Sequence, residues 1–264
     1  MSGFSAAWLT LREPHDLRAR NATVLDAVAG AFADHASLSI VDLACGTGST
    51  YRAVSPHLPG GQRWRLYDND LSLLARAASA PNVTTVSLDL AHDLEAALDG
   101  PVDLVTTSAL LDLVSGQWLE RFTVEVAARR LPVYAALSYD GRTELEPGEP
   151  LDEAIVAAVN AHQRGDKGFG PALGPDAAQS AIERFERLGY SVVQGRSDWV
   201  FQPADREIQV ETLSGWAAAA RETGDPPLAE VIGWLKHRRD LVAAGRSKTR
   251  VGHVDFFARP TAMR

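Results

Sequence analysis

The stretch that decides the fold is Ile40-Val41-Asp42-Leu43-Ala44-Cys45-Gly46-Thr47-Gly48-Ser49-Thr50. It begins as an apolar strand, ends in an acid, and turns through two glycines spaced by one residue. Glycines at such a turn let the backbone approach a ligand, and a helix that follows offers unpaired N–H groups. In an open α/β sheet, ligands sit beyond the carboxyl ends of the strands, at the topological switch point. A nicotinamide fingerprint needs a third glycine at position 51, which is Tyr51, and no Gly-Lys-Ser/Thr follows for a nucleoside triphosphate. The turn suits a nucleoside ligand that lacks a pyrophosphate.

Working outward, Leu17, Val24, Leu25, Val28 and Phe32 recur at helical spacing and predict a helix over 15–32, with Pro14 in its first turn. Downstream, strands predicted at 63–68, 83–88, 102–107 and 133–139 alternate with helices at 49–57, 71–78, 92–98 and 117–129. This rhythm specifies an α/β, doubly wound, mostly parallel sheet with helices on both faces. After Tyr139 it loosens: a loop is expected at 141–150, a helix at 151–161, and a glycine- and proline-rich loop at 162–175. A helix at 177–188 and strand pieces at 190–193 and 199–201 follow. Two helices are predicted at 205–223 and 226–244, the second opened by Asp225 at the N-cap and Pro226 at the first position. A strand at 251–258 closes the pattern.

The bulk properties narrow the function classes. With 264 residues, 45% hydrophobic and 23% charged, the chain reads as one ordinary globular domain. A net charge of −8 argues against a surface built to neutralise many phosphates. Against that trend, Lys236, His237, Arg238, Arg239, Arg246, Lys248 and Arg250 crowd together. The single cysteine, Cys45, precludes an internal disulfide. No signal peptide and no membrane span is expected, so the expected location is cytoplasmic. No metal is expected.

Twenty residues past Gly48, Asp68 ends the second strand in Leu66-Tyr67-Asp68-Asn69-Asp70, a place from which an acid accepts hydrogen bonds from ribose hydroxyls. Ser87-Leu88-Asp89-Leu90 ends the third strand with another carboxylate, placed for an exocyclic adenine amine. The series DLACGTG (42–48), LYDND (66–70), LDL (88–90) and DLVTTSALLD (103–112) resembles motifs I to IV of the class I S-adenosylmethionine-dependent methyltransferases, in order and spacing.

That resemblance implies a seven-stranded Rossmann-like sheet with an antiparallel last strand, and S-adenosylmethionine as cofactor. Asp42 and the backbone of Ala44, Cys45, Gly46, Thr47 and Gly48 would border its methionine part. Asp68 with Asn69 would take the ribose, Asp89 and Leu90 the adenine, and Ser108 would face the sulfonium. Ala44 stands where many members carry glycine. The stretch Trp8–Arg20 resembles the lid helix of small-molecule members, in which Arg20 or Arg12 would pair with the methionine carboxylate. The expected organisation is a lid at 1–36, a sheet core at 37–202 plus 248–259, and a helical insertion at 203–247.

Other residues have two readings. Cys45 is read as a small side chain beneath the cofactor rather than a nucleophile. Asp112, past the fourth strand, is either a buried general base or a cap for the next helix. His162 is a candidate catalytic residue or a solvated histidine. Trp199, Trp216 and Trp234 are pocket walls or core. The basic stretch 236–250 is a solvated helix face or an anion grip. The function expected is methyl transfer to a small-molecule acceptor. The alternatives are an RNA methyltransferase with the same cofactor, which the charge and the missing Asn/Asp-Pro-Pro-Tyr/Phe disfavour, and a non-catalytic cofactor-binding protein. The oligomeric state is left open.

Overall fold

A computed structural model describes residues 4–77 and 80–261. In chain order the elements are α1 (Ala6–Ala19), α2 (Ala22–Phe32), β1 (Leu38–Leu43), α3 (Ser49–Val54), β2 (Gln62–Asp68), α4 (Leu71–Ala77), β3 (Val83–Ser87), α5 (Leu94–Ala97) and β4 (Leu104–Ser108). There follow α6 (Gly116–Ala128), β5 (Val133–Glu146), α7 (Asp152–Gln163), α8 (Ala177–Arg187), β6 (Tyr190–Arg196), β7 (Trp199–Phe201), α9 (Arg206–Thr223), α10 (Leu228–Ala243) and β8 (Lys248–Pro260). The sheet runs β3-β2-β1-β4-β5-β8-β6, with β7 added along β8. The five strands β1 to β5 are parallel to one another, and β8 is antiparallel to β5, β6 and β7.

The period-2 alternation of β1 sets the two layers. Leu38 and Ile40 face a core made with Val24, Val28 and Phe32 of α2 and Val54 of α3, while Val41 and Leu43 face one made with α6 and α8. The order reverses at β1 and β4, so the glycine turn opens at the switch point. Among the described residues no helix is long and apolar enough to cross a membrane.

Five departures from the sequence reading have identifiable causes. The helix expected over 15–32 is two helices. Asn21 breaks it by accepting a hydrogen bond from Val24 N–H (3.1 Å) as the N-cap of α2, and α1 starts nine residues earlier, capped by Ser5. Pro14 therefore lies inside α1. The segment 141–146 is strand, not loop, because Glu144 and Glu146 pair in register with Arg250 and Lys248 of β8. β7 is a separate strand, so the sheet has eight strands rather than seven. α10 begins at Leu228, since Pro227 bars its predecessor Pro226 from helical geometry.

The prolonged halves of β5 and β8 form a ribbon that rises past the end of β4. On it sits a third core, built from Tyr139, Ile155, Trp199, Phe201, Trp216 and Trp234 among others. The cap therefore recruits α7 as well as α9 and α10, a wider unit than the expected insertion at 203–247. Its key tie is Arg238, fully buried on α10, which binds both carboxylate oxygens of Asp152 and the Pro147 carbonyl.

Candidate active site

Asp42 ends β1 with no solvent exposure. Its Oδ1 accepts from Thr106 Oγ1 at 2.7 Å, while Oδ2 has no hydrogen-bond partner, Thr50 approaching without completing one. Burial pushes its carboxyl up to about 7, and the nearby Asp68 adds to this. The turn then passes through left-handed backbone at Ala44 (φ 54°), Gly46 (φ 54°) and Gly48 (φ 83°). Ala44 adopts a conformation that costs a non-glycine residue on the order of 1–2 kcal/mol, as does Ala109 (φ 52°) at the end of β4.

Asp68 braces this turn: its Oδ2 accepts from Gly46 N–H at 2.8 Å and its Oδ1 from Asp70 N–H at 3.0 Å. Each oxygen keeps a second lone pair for a ligand. Cys45 is buried, and its thiol is pushed far up by burial and by Asp42 and Asp68, which suppresses nucleophilic character. Asn69 is exposed beside Asp68. Asp89 is exposed at the end of β3, where Oδ1 accepts from Ala91 N–H (2.9 Å) and Oδ2 lies 3.1 Å from His92 Nδ1. Leu90 is buried, its carbonyl accepting from Trp118 Nε1 at 2.7 Å.

Arg20 occupies the link between α1 and α2 and is drawn inward. Its Nη1 donates to Tyr134 Oη (3.2 Å) and its Nη2 to Ser108 Oγ (3.4 Å). The Nε, also buried, has no partner. Its positive charge faces Asp42. Asp255 anchors the same region, accepting from Leu137 N–H (2.7 Å), Asn21 N–H (3.0 Å) and Tyr134 Oη (3.3 Å).

Helix α1 lies over the turn. A methyl group placed on Gly46 would meet Leu9 Cδ1 at 3.1 Å. Arg52 of α3 holds the helix down, donating to both oxygens of Glu13 (2.5 and 2.7 Å) and to the Thr47 carbonyl (2.7 Å). The space left between α1 and α3 is a cavity of about 40 Å³, lined by Glu13, Asp16, Arg20 and Arg52 among others. A larger hollow of about 330 Å³ lies elsewhere, between α2 and strands β6 and β8, with Arg259 as its one charged lining residue.

Asp112 follows β4 in a short 3-10 turn and is buried. It does not cap α6, because Ser115 does so through Trp118 N–H (3.2 Å). Its Oδ1 has no partner, and burial pushes its carboxyl up to about 6 despite the Arg12 charge.

His162 is held at the end of α7 by Glu222 (2.9 Å), with the Lys167 ammonium bonded to its carbonyl at 3.0 Å, so its partners are those of a helix-to-helix tie. Trp199, Trp216 and Trp234 all belong to the third core, and Trp199 also stacks beneath Arg12. Of the seven basic-stretch residues, five are engaged: His237 with Glu149, Arg238 with Asp152, Arg239 with Ser214, Lys248 with Glu146, and Arg250 with Glu144 and Asp198. Sequence reading missed His253, buried on β8 between Tyr139 and Trp199, because a lone histidine in a strand carries no motif.

No family model matches the sequence, and no curated protein is significantly similar to it. Solved structures do resemble the fold. The YcgJ protein from Bacillus subtilis has a TM-score of 0.52 at 13% identity, covering 92% of this chain and 100% of its own. The cyclopropane synthase MmaA2 from Mycobacterium tuberculosis has a TM-score of 0.50 at 11% identity, covering 97% and 94%. A candidate methyltransferase from Bacillus halodurans C-125 gives 0.50 at 14%, covering 90% and 100%. With its strand order and its antiparallel final strand, this chain has the Rossmann-like fold of the class I methyltransferases.

Proposed function

We propose that this protein binds S-adenosylmethionine at the glycine turn and directs its methyl group to a small-molecule acceptor. The observation that carries the reading is a pair of buried, unpartnered polar atoms beside that turn, Asp42 Oδ2 and Arg20 Nε. Leaving either unsatisfied costs about 1–3 kcal/mol, and an amino-acid zwitterion satisfies both, its ammonium at the carboxylate and its carboxylate at the guanidinium. Asp68 and Asp89 are then the acceptors for ribose and adenine. Bound S-adenosylmethionine supplies a methyl group already activated on a sulfonium. The chain has to hold the acceptor in line, exclude water with α1, and take a proton where the acceptor must lose one; Asp112 Oδ1 is the group for that last task.

Against the RNA reading, five of the seven basic-stretch residues already pair with carboxylates or a hydroxyl of the protein itself. A thermal-shift comparison of S-adenosylmethionine, S-adenosylhomocysteine, NAD and ATP tests the proposal. Either sulfur nucleoside at 100 times its dissociation constant is expected to stabilise by about 2.7 kcal/mol. Loss of the shift in Asp42→Asn supports the zwitterion site, whereas a shift with NAD or ATP alone overturns the reading.

A further inference from the structure

We propose that the buried aromatic cluster between α1, β7 and the paired strands β5 and β8, now filled by Arg12, is the acceptor site, and that it takes a cationic amine, with Asp112 and His253 as its hydrogen-bond acceptors. The word acceptor rests on the methyltransferase reading; the affinity for an amine does not. The walls are aromatic. Trp199 lies 4.9 Å from His253 and 6.2 Å from Trp8, and Tyr139 lies 6.1 Å from His253, centroid to centroid.

Two groups in this cluster can accept from a ligand. Trp199 Nε1 is committed to Asp16 (2.8 Å) and Tyr139 Oη to Asn160 Oδ1 (2.7 Å). His253 Nδ1 lies 3.1 Å from the Val251 carbonyl, which only accepts, so Nδ1 carries the proton and Nε2 keeps its lone pair. Burial and the Arg12 charge push this imidazole down to about 3, which keeps it neutral. Asp112 Oδ1 is buried with no partner. Asp112 Oδ1 and His253 Nε2 are thus two acceptors set beside aromatic faces, the complement of a cation that only donates.

Such a cation already sits there. The Arg12 guanidinium of α1 lies 4.9 Å over the Trp199 ring, and its charge reaches both Asp112 and His253. Asp16, one turn along the same helix, neutralises it through bonds of 2.9 and 3.3 Å. Arg12 therefore occupies the ligand's place as a resident mimic, and has to withdraw with α1 before an amine binds.

Calorimetric titration of the full chain with phenethylamine, 2-phenylethanol and phenylacetate tests this, since the three share a ring and differ in charge. Phenethylamine is expected to bind at least tenfold tighter than the alcohol, with no measurable binding of the carboxylate. Asp112→Asn is expected to remove that preference, His253→Gln to weaken amine binding several-fold, and Arg12→Met to strengthen it at least threefold by vacating the site. Equal binding of amine and alcohol, or unchanged amine affinity in Arg12→Met, overturns the proposal. Cooperative thermal unfolding of all three variants shows that they fold, and the two readings are separated by the thermal shift with S-adenosylhomocysteine. Its absence in the native chain sinks the methyltransferase reading alone; its presence without amine preference sinks this proposal alone.

Discussion

Asp42 carries a cost that the ligand-free fold bears. In the folded chain its carboxyl is pushed up to about 7 from an ordinary 3.8. Between those values the folded state holds a proton that the unfolded state has lost, so Asp42 makes stability fall as pH rises from about 4 to about 7. Asp42→Asn is expected to stabilise the ligand-free protein by roughly 2–4 kcal/mol at pH 8 and by little at pH 4, measured by urea unfolding at each pH. A difference independent of pH would remove the buried-charge explanation. At this scale the sequence disclosed the residues that sit in a motif: Asp42, Asp68 and Asp112 stand at strand ends, where spacing alone locates them. It was silent on His253 and on the Arg12–Trp199 contact, because those depend on which strands a distant helix meets. His162 looked chemical in a loop-rich stretch, yet its contacts are with Glu222 and Lys167.

Elements were legible where local pattern and tertiary need agree. β1 to β4 read correctly because each is short, either apolar, alternating or β-branched, and bounded by glycine, proline or an acid. The outer half of β5 did not, since Arg142-Thr143-Glu144-Leu145-Glu146 carries no apolar alternation and is a strand through the opposite charges facing it on β8. The break at Asn21 was hidden for a similar reason: the helical period continues through it, and only a cap shows the stop. In the cap, Asp152 is the junction on which α7 and α10 converge, taking bonds from Arg238 and from Trp234 Nε1 (2.8 Å). Asp152→Ala leaves the fully buried Arg238 without its counter-charge and is expected to cost about 3–5 kcal/mol. Denaturant unfolding measures this, and a loss under 1 kcal/mol would mean that water replaces the carboxylate.

Across the whole molecule, the contrast lies between how the two covers over the strand ends are attached. The cap is joined to the sheet by β5 and β8 themselves, paired in register from Val133 to Glu146 with two bulges. Helix α1 is joined to α2 through Arg20 and Asn21, and side chains alone pin it, Glu13 to Arg52, Arg18 to Asp205 and Asp16 to Trp199. A continuous strand pair is a stiff beam, and a two-residue link is a swivel. On the proposed function, access to the cavity of about 40 Å³ is expected through the swivel. Amide hydrogens of 6–19 are expected to exchange far faster than those of 141–146, and Glu13→Gln to quicken them further without altering the ribbon. Equal protection of the two segments would place the moving part elsewhere. On the proposed function, a protein so built divides its labour mechanically: the rigid arm stores the shape that one acceptor must match, while the hinged arm keeps time, setting how long each visitor stays.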